Sequence, residues 1–111
     1  MREPTFLILA ALAGPPLHGY GVLRQVAQLS GDRVKLSAGT LYAALDRLAD
    51  DGLIEADREE TVDGRVRRYY RLTRDGSAAL RAEAARLRDN ADVATARLAG
   101  WAAPPRPVPG T

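Results

Sequence analysis

Cysteine is absent from the 111-residue sequence, which excludes disulfides, thiolate metal sites and thiol redox sensing. Histidine occurs once, as His18, so one chain cannot assemble a histidine metal cluster. Lysine also occurs once, as Lys35; the remaining basic residues are all arginine, a skew that accompanies abundant alanine and glycine and carries no functional meaning by itself. There is no apolar run long enough to span a bilayer. The nearest approach, "FLILAALAG", faintly mimics a secretory core, but Glu3 offsets Arg2 and Pro4 stands where a basic region belongs. It is expected to be a buried helix of a cytoplasmic protein with no membrane partner. No nucleophile–base–orienter set, phosphate loop or metal-ligand spacing is present, so neither an enzyme nor a cofactor is expected. The formal net charge is only +2, and what matters is how it is distributed.

The chain length fits one domain with an appended element. A chain of this size hides only about two thirds of its unfolded surface, which makes a second copy a plausible support. Pro4 opens a first helix running to about Ala13, where Gly14-Pro15-Pro16 stops it. A second helix begins near His18 and carries Tyr20, Leu23, Val26, Ala27 and Leu29 at mostly three- and four-residue spacings. Ser37 caps a third helix with an apolar stripe of Leu41, Leu45 and Leu48, ended by Gly52. Leu53-Ile54 opens a strand, Asp63-Gly64 signals a hairpin, and the returning strand runs from Arg65 to Leu72. Its alternation sets Val66, Tyr70 and Leu72 on one face, with Arg65, Arg67, Tyr69 and Arg71 on the other. Thr73 caps a long fourth helix whose dipole Asp75 suits.

Three helices, a two-stranded wing and a long C-terminal helix make a mainly α protein, a winged helix-turn-helix with an extra arm. The expected organisation is a DNA-binding domain over 1–73, a dimerisation helix over 74–103 and a disordered Pro-rich tail over 104–111.

In such a fold the third helix enters a major groove. Lys35, Ser37, Thr40, Tyr42 and Arg47 are the candidate contacts at its start and along its outer side. Hydroxyls suit phosphate oxygens, and Arg47 can reach phosphate or guanine. The plainer alternative is that Ser37 only caps, Thr40 is only solvated and Tyr42 only packs. Asp46, Asp50 and Asp51 repel phosphate, so the C-terminal half of the helix should point off the DNA. The wing carries the denser signal: Arg65, Arg67, Arg68, Arg71 and Arg74 fall within ten residues that contain no acid. The competing possibility is that these arginines pair across the hairpin with Asp57, Glu59 and Glu60. His18 reads as a cap or packing residue rather than a ligand.

Along the fourth helix, Leu80, Ala84, Leu87, Ala91, Ala94, Leu98 and Trp101 recur at alternating steps of four and three, a heptad seam flanked by charged residues. So long a seam outruns a domain of this size, so pairing with a second copy is expected, the first helix contributing. Trp101 either closes that interface by packing or walls an effector site with Leu98, Phe6 and Leu9. In the second case the ligand is a planar hydrophobic small molecule.

Three segments, "HGY" at 18–20, "SAGTLYAALDRLADDGLI" at 37–54 and "GRVRRYYRLTRDGSAAL" at 64–80, together resemble the PadR family of bacterial transcriptional regulators, in its short subfamily with a single C-terminal dimerisation helix. The likeness runs from about Leu7 to Leu87. It departs at Ala43, where the family usually has proline. The resemblance implies a homodimer on double-stranded operator DNA, usually a repressor relieved by a small molecule or another cue. It also implies DNA contacts on the third helix and wing, matching Ser37, Thr40, Tyr42 and the wing arginines. Two other functions remain open: a winged-helix protein-interaction module, favoured if the wing arginines are paired internally, and a small-molecule or multidrug sensor whose DNA binding is secondary, favoured by an aromatic-lined gap in the dimer.

Overall fold

A computed structural model describes residues 1–110 of the chain. Its elements are α1 (Glu3–Ala11), β1 (Leu17–His18), α2 (Gly19–Leu29), α3 (Ala38–Asp50), β2 (Ile54–Val62), β3 (Arg65–Leu72) and α4 (Arg74–Leu98). The three strands form one antiparallel sheet in the order β1-β3-β2.

Pro4 sits in the first turn of α1, where a missing N–H costs little. Leu7, Ile8, Leu9 and Ala11 are all buried, so this helix is apolar around its girth and lies between α2 and α4. It ends at Ala11 rather than near Ala13, and Leu12, buried just beyond, completes the contact. The second helix turns inward part of the stripe the spacing suggested. Val26 is buried and Leu23 and Ala27 half-buried, joined by buried Gly19 and Val22, whereas Tyr20 and Leu29 are exposed. A Cβ at Gly19 would lie 2.6 Å from the Tyr42 hydroxyl oxygen.

Helix α3 starts as expected. The Ser37 Oγ accepts from the Thr40 N–H at 3.2 Å and donates to Thr40 Oγ1 at 2.9 Å. Leu41, Leu45 and Leu48 are buried with Ala44, forming with Ile54 and Tyr70 the core that α1 and α2 close. The helix runs without a break through the exposed Ala43.

The hairpin closes through Asp63 and Gly64, both at positive φ (51° and 76°), as a two-residue hairpin turn requires. The Leu17–His18 strand was not anticipated; two residues are too few to show a period, and only their pairing with Tyr70 and Tyr69 defines them. A bulge at Asp57 shifts the β2 register between Ala56 and Arg58. Tyr70 is buried and Leu72 half-buried, but Val66, expected with them, is 66 % exposed. The outer part of the hairpin extends past the core, so an inward parity there meets solvent.

At the end of β3, the Thr73 Oγ1 accepts from the Gly76 N–H at 3.0 Å and donates to the Gly52 carbonyl at 2.6 Å. The Thr73 N–H also donates to the Leu53 carbonyl at 3.1 Å. Helix α4 therefore takes root on the α3–β2 junction. Its next inward residue, Glu83, is buried and receives Arg86 at both oxygens (2.6 and 2.8 Å), with the Met1 ammonium 3.4 Å away. Arg86 and then the Met1 ammonium, against the opposing effect of burial, hold the Glu83 carboxyl down to about 2.

Beyond Glu83 the helix leaves the domain, and residues 85–98 are all exposed. The radius of gyration is 19.6 Å, against about 13 Å for a compact chain of this length. The heptad seam accordingly divides. Leu80 packs on the core and Ala84 is half-buried, while Leu87 (43 % exposed), Ala91, Ala94 and Leu98 (61 %) face solvent. Trp101 is not part of the helix, which ends at Leu98 with Ala99 as its cap. The Trp101 N–H bonds to the Leu98 carbonyl at 3.0 Å, three residues back, the tightened turn in which helices commonly end. Of the tail expected over 104–111, residues 104–108 carry no regular secondary structure, and residue 111 lies outside the described residues.

Candidate nucleic-acid interface

The exposed polar edge of α3 and the inner flank of the wing face one another across a cleft of about 890 Å³. Tyr42 and Asp46 line it from the helix, Arg65, Arg67 and Arg68 from β3, and His18 and Tyr20 from the start of α2. The remaining α3 candidates, Ser37, Thr40 and Arg47, are exposed outside this cleft, as is Lys35 in the segment before the cap. Ser37 has its hydroxyl committed to the cap and to Thr40 Oγ1. The Thr40 hydroxyl hydrogen remains available to an outside acceptor, so within this pair Thr40 is the better donor to DNA. Asp46 lies within the cleft rather than off it: one turn past Tyr42, it bounds the surface a phosphate can approach.

The wing arginines divide into two sets. At the base of the hairpin, Arg71 Nε donates to Glu55 Oε1 at 2.9 Å and Arg71 Nη1 to Asp57 Oδ1 at 3.1 Å. Asp57 stands two residues from Glu55 on the same strand, and strand alternation already places both carboxylates on one side, within reach of Arg71. Arg68 pairs with Glu59 at 3.3 Å. Nearby acceptors stabilise the cationic form of both, Tyr70 and then Glu59 for Arg68, Glu55 and then Asp57 for Arg71. Arg65 and Arg67, by contrast, have no carboxylate within ion-pair distance among the described residues.

Glu60 stands opposite Arg67 in the ladder but is held by others. Its Oε1 accepts from Arg58 Nε at 3.1 Å and its Oε2 from the Tyr69 hydroxyl at 3.1 Å, with the Arg58 guanidinium 4.0 Å over the Tyr69 ring. Arg58 and then Tyr69 lower the Glu60 pKa. The acids of β2 thus neutralise the base of the wing and leave its tip positive. Arg74, the last of the arginine run, sits exposed in the first turn of α4.

His18 and Tyr20 were not among the residues expected at the site. The "HGY" segment was the available signal, but only the β1–β3 pairing brings it beside the wing. The residues expected around an effector are not gathered within one chain. Leu9 is wholly enclosed in the core because α1 is buried on every side, so it cannot wall an open pocket. Phe6 is half-buried beside that core, and Leu98 and Trp101 lie far along the projecting arm. Among the described residues no cluster of acidic or histidine side chains could hold a metal ion, and no helix is long and apolar enough to cross a membrane.

Comparisons with known proteins bear on the fold and the family. The transcriptional regulator PadR-like family profile matches residues 8–82. A transcriptional regulator of Mycobacterium tuberculosis, Rv3488, is 42 % identical over 73 residues, covering 66 % of this chain and 64 % of that protein. The chain thus spans a little under two thirds of that curated relative. A PadR family transcription regulator from Clostridium difficile superposes with a TM-score of 0.73 at 27 % identity, over 87 % of this chain and 99 % of that one. Bacillus subtilis PadR, solved in complex with operator DNA, shares the fold with a TM-score of 0.65 at 22 % identity, over all of this chain and 52 % of that one.

Proposed function

Because the chain belongs to the PadR-like family of transcriptional regulators, and so to a family of regulators rather than enzymes, we propose that it binds operator DNA as a homodimer and represses transcription until a small molecule or other cue releases it. The observation that carries this reading is the pair Arg65 and Arg67, unpaired cations at the tip of a wing whose flank faces Tyr42 across the cleft. Phosphate contacts from such a tip fix position. Thr40, Tyr42, Arg47 and Lys35 then supply donors toward base edges and backbone, while Arg68 and Arg71 hold the wing to its own acids. That the Bacillus subtilis fold neighbour was solved in complex with operator DNA supports operator DNA as the partner here.

Dimerisation through Leu87, Ala91, Ala94 and Leu98 is supported by the length of apolar seam that no part of its own chain covers. A two-fold dimer calls for pseudo-palindromic half-sites about one helical turn or more apart. Leu98 and Trp101, met by Phe6 of a second copy, remain the candidate wall for a planar hydrophobic effector. The site of action would be the cytoplasm, where the operator is. The test is binding of the purified protein to DNA from its own gene neighbourhood against unrelated competitor. Retention of one fragment supports the reading, and equal affinity for all fragments refutes sequence-specific regulation.

A protein-interaction module is the second reading. It is favoured by the internal pairing of Arg68 with Glu59 and of Arg71 with Glu55 and Asp57. If no duplex binds at low salt, it takes precedence.

A further inference from the structure

His18 lines the cleft, yet the contacts proposed above make no use of it. It is the single imidazole in the chain and stands at the N-cap of α2, where no side chain caps the first turn. Its ring is held in place: pairing fixes it opposite Tyr69, with ring centroids 5.2 Å apart, and Tyr20 lies 6.4 Å away.

The groups around it decide its charge. Burial, then the Arg67 guanidinium, hold the imidazole below its ordinary value, with Glu60 opposing them. Each oxygen of Glu60 already accepts one hydrogen bond, from Arg58 and from the Tyr69 hydroxyl, and Glu60 forms no ion pair with the imidazole among the described residues. From α3, Tyr42 and Asp46 border the same space, and the hairpin adds Asp63, Arg65 and the Glu59-bound Arg68. Arg24 lies farther along α2, 6.0 Å over the Tyr20 ring. The surroundings in the free protein therefore favour the neutral imidazole, beside an arginine that no ion pair holds among the described residues.

We infer that His18 is a proton-linked phosphate-binding residue, seating one DNA phosphodiester in the cleft together with Arg67 and taking up a proton from solvent as it does so. This rests on the DNA-binding reading. The phosphodiester brings one negative charge, which offsets the repulsion from Arg67 and favours the imidazolium. The protonated ring then has an N–H to donate to a phosphate oxygen. Neutral His18 still admits the phosphate to Arg67 but adds no charge of its own. Affinity is therefore higher below the free imidazole pKa and declines as pH rises through the DNA-bound one.

The single imidazole makes the test direct. The intact protein is titrated by NMR, following the His18 ring resonance, free and saturated with a short duplex of arbitrary sequence at low salt. Duplex binding by the wild type and His18→Gln is compared at about pH 6 and about pH 8, on either side of the ordinary imidazole range. The imidazole pKa is expected to rise by about one unit on binding, and the wild type to bind a few-fold more tightly per site at the lower pH, toward a limit of about tenfold well below the free imidazole pKa. His18→Gln is expected to show no such difference, and Arg67→Gln, a second variant at an exposed position, to reduce the rise in imidazole pKa. An unchanged imidazole pKa at saturation, or a His18→Gln protein that keeps the wild-type pH dependence, overturns the inference. Binding that is strong but independent of pH removes His18 alone, whereas failure of any duplex to bind removes the DNA-binding reading with it.

Discussion

Replacing Gly76 with alanine adds one methyl group at the most crowded point of the fold. A Cβ there would lie 1.9 Å from the Leu53 carbonyl oxygen and 2.9 Å from both the Leu53 carbonyl carbon and Leu72 Cδ1. The oxygen is backbone and already accepts from the Thr73 N–H, so it cannot move aside alone. The root of α4 must lift instead, straining the Thr73 bonds to the Leu53 and Gly52 carbonyls. Overpacking costs about 1–3 kcal/mol, and each weakened hydrogen bond adds about 0.5–1.5 kcal/mol. The better helix propensity of alanine returns about 1 kcal/mol. The net loss is about 1–5 kcal/mol, which moves a urea midpoint down by roughly 0.5–2.5 M for a domain of this size. Gly39→Ala is the internal control: it also lies in a helix, but nothing stands within 4 Å of its Cβ position, so its effect is neutral or stabilising by up to about 1 kcal/mol. Both variants should be unfolded at one protein concentration, because the proposed dimerisation would make stability depend on it. A Gly76→Ala protein as stable as wild type would refute the close seating of α4.

Other consequences can be checked separately. Leu87→Glu/Leu98→Glu places like charges on the exposed seam and is expected to give a folded monomer by sedimentation, while the unaltered protein sediments as a dimer at micromolar concentration. Arg67→Ala is expected to flatten the log–log salt dependence of DNA binding by roughly one to two units for the two copies in a dimer; Arg71→Ala leaves the slope nearly unchanged, because Glu55 and Asp57 already neutralise that arginine. Glu83 is held down to about 2 from an ordinary 4.5. Its contribution to stability is therefore complete above about pH 5 and is lost as pH falls from 4.5 toward 2; Glu83→Gln should lessen the acid sensitivity of the unfolding midpoint over that window.

Much of this architecture was legible from local chemistry. Ser37, Thr73 and Asp63-Gly64 each commit the backbone through their own side chain or conformational freedom, so the starts of α3 and α4 and the hairpin turn could be placed from the residues alone. The leucine stripe of α3 was legible for a similar reason: one helix face meets one core. The errors fall where the outcome depends on distant partners. The α2 stripe holds at Leu23, Val26 and Ala27 but not at Tyr20 and Leu29, which fit it by spacing yet are exposed because no partner element covers that edge. Val66 obeys strand parity, but parity does not say where the core stops. The arginines of the wing look alike in sequence; the Glu55 and Asp57 contacts of Arg71 and the Tyr69–Glu60–Arg58 contacts separate paired Arg71 from Arg67, and the choice among neighbouring acids leaves no periodic signal. Trp101 continues the heptad by count, yet the chain has already left the helix at Ala99. Of the resemblance, the family and the winged helix stand, while the individual DNA contacts remain proposals.

The unsupported stretch of α4 also behaves as a lever. Residues 85–98 project about 21 Å at the usual helical rise, and the arm pivots where Gly76, Thr73 and Glu83 seat it on the domain. A tilt of about 10° at that pivot swings the far end by about 3.6 Å, close to the 3.4 Å that separates successive bases along a DNA strand. Two such arms joined at their ends would convert a change of a few degrees at a glycine into a shift of about one base step between the surfaces they carry. In such a dimer the absence of a side chain at position 76 would act as an angular gauge, and the fit to DNA would depend on how little play it allows.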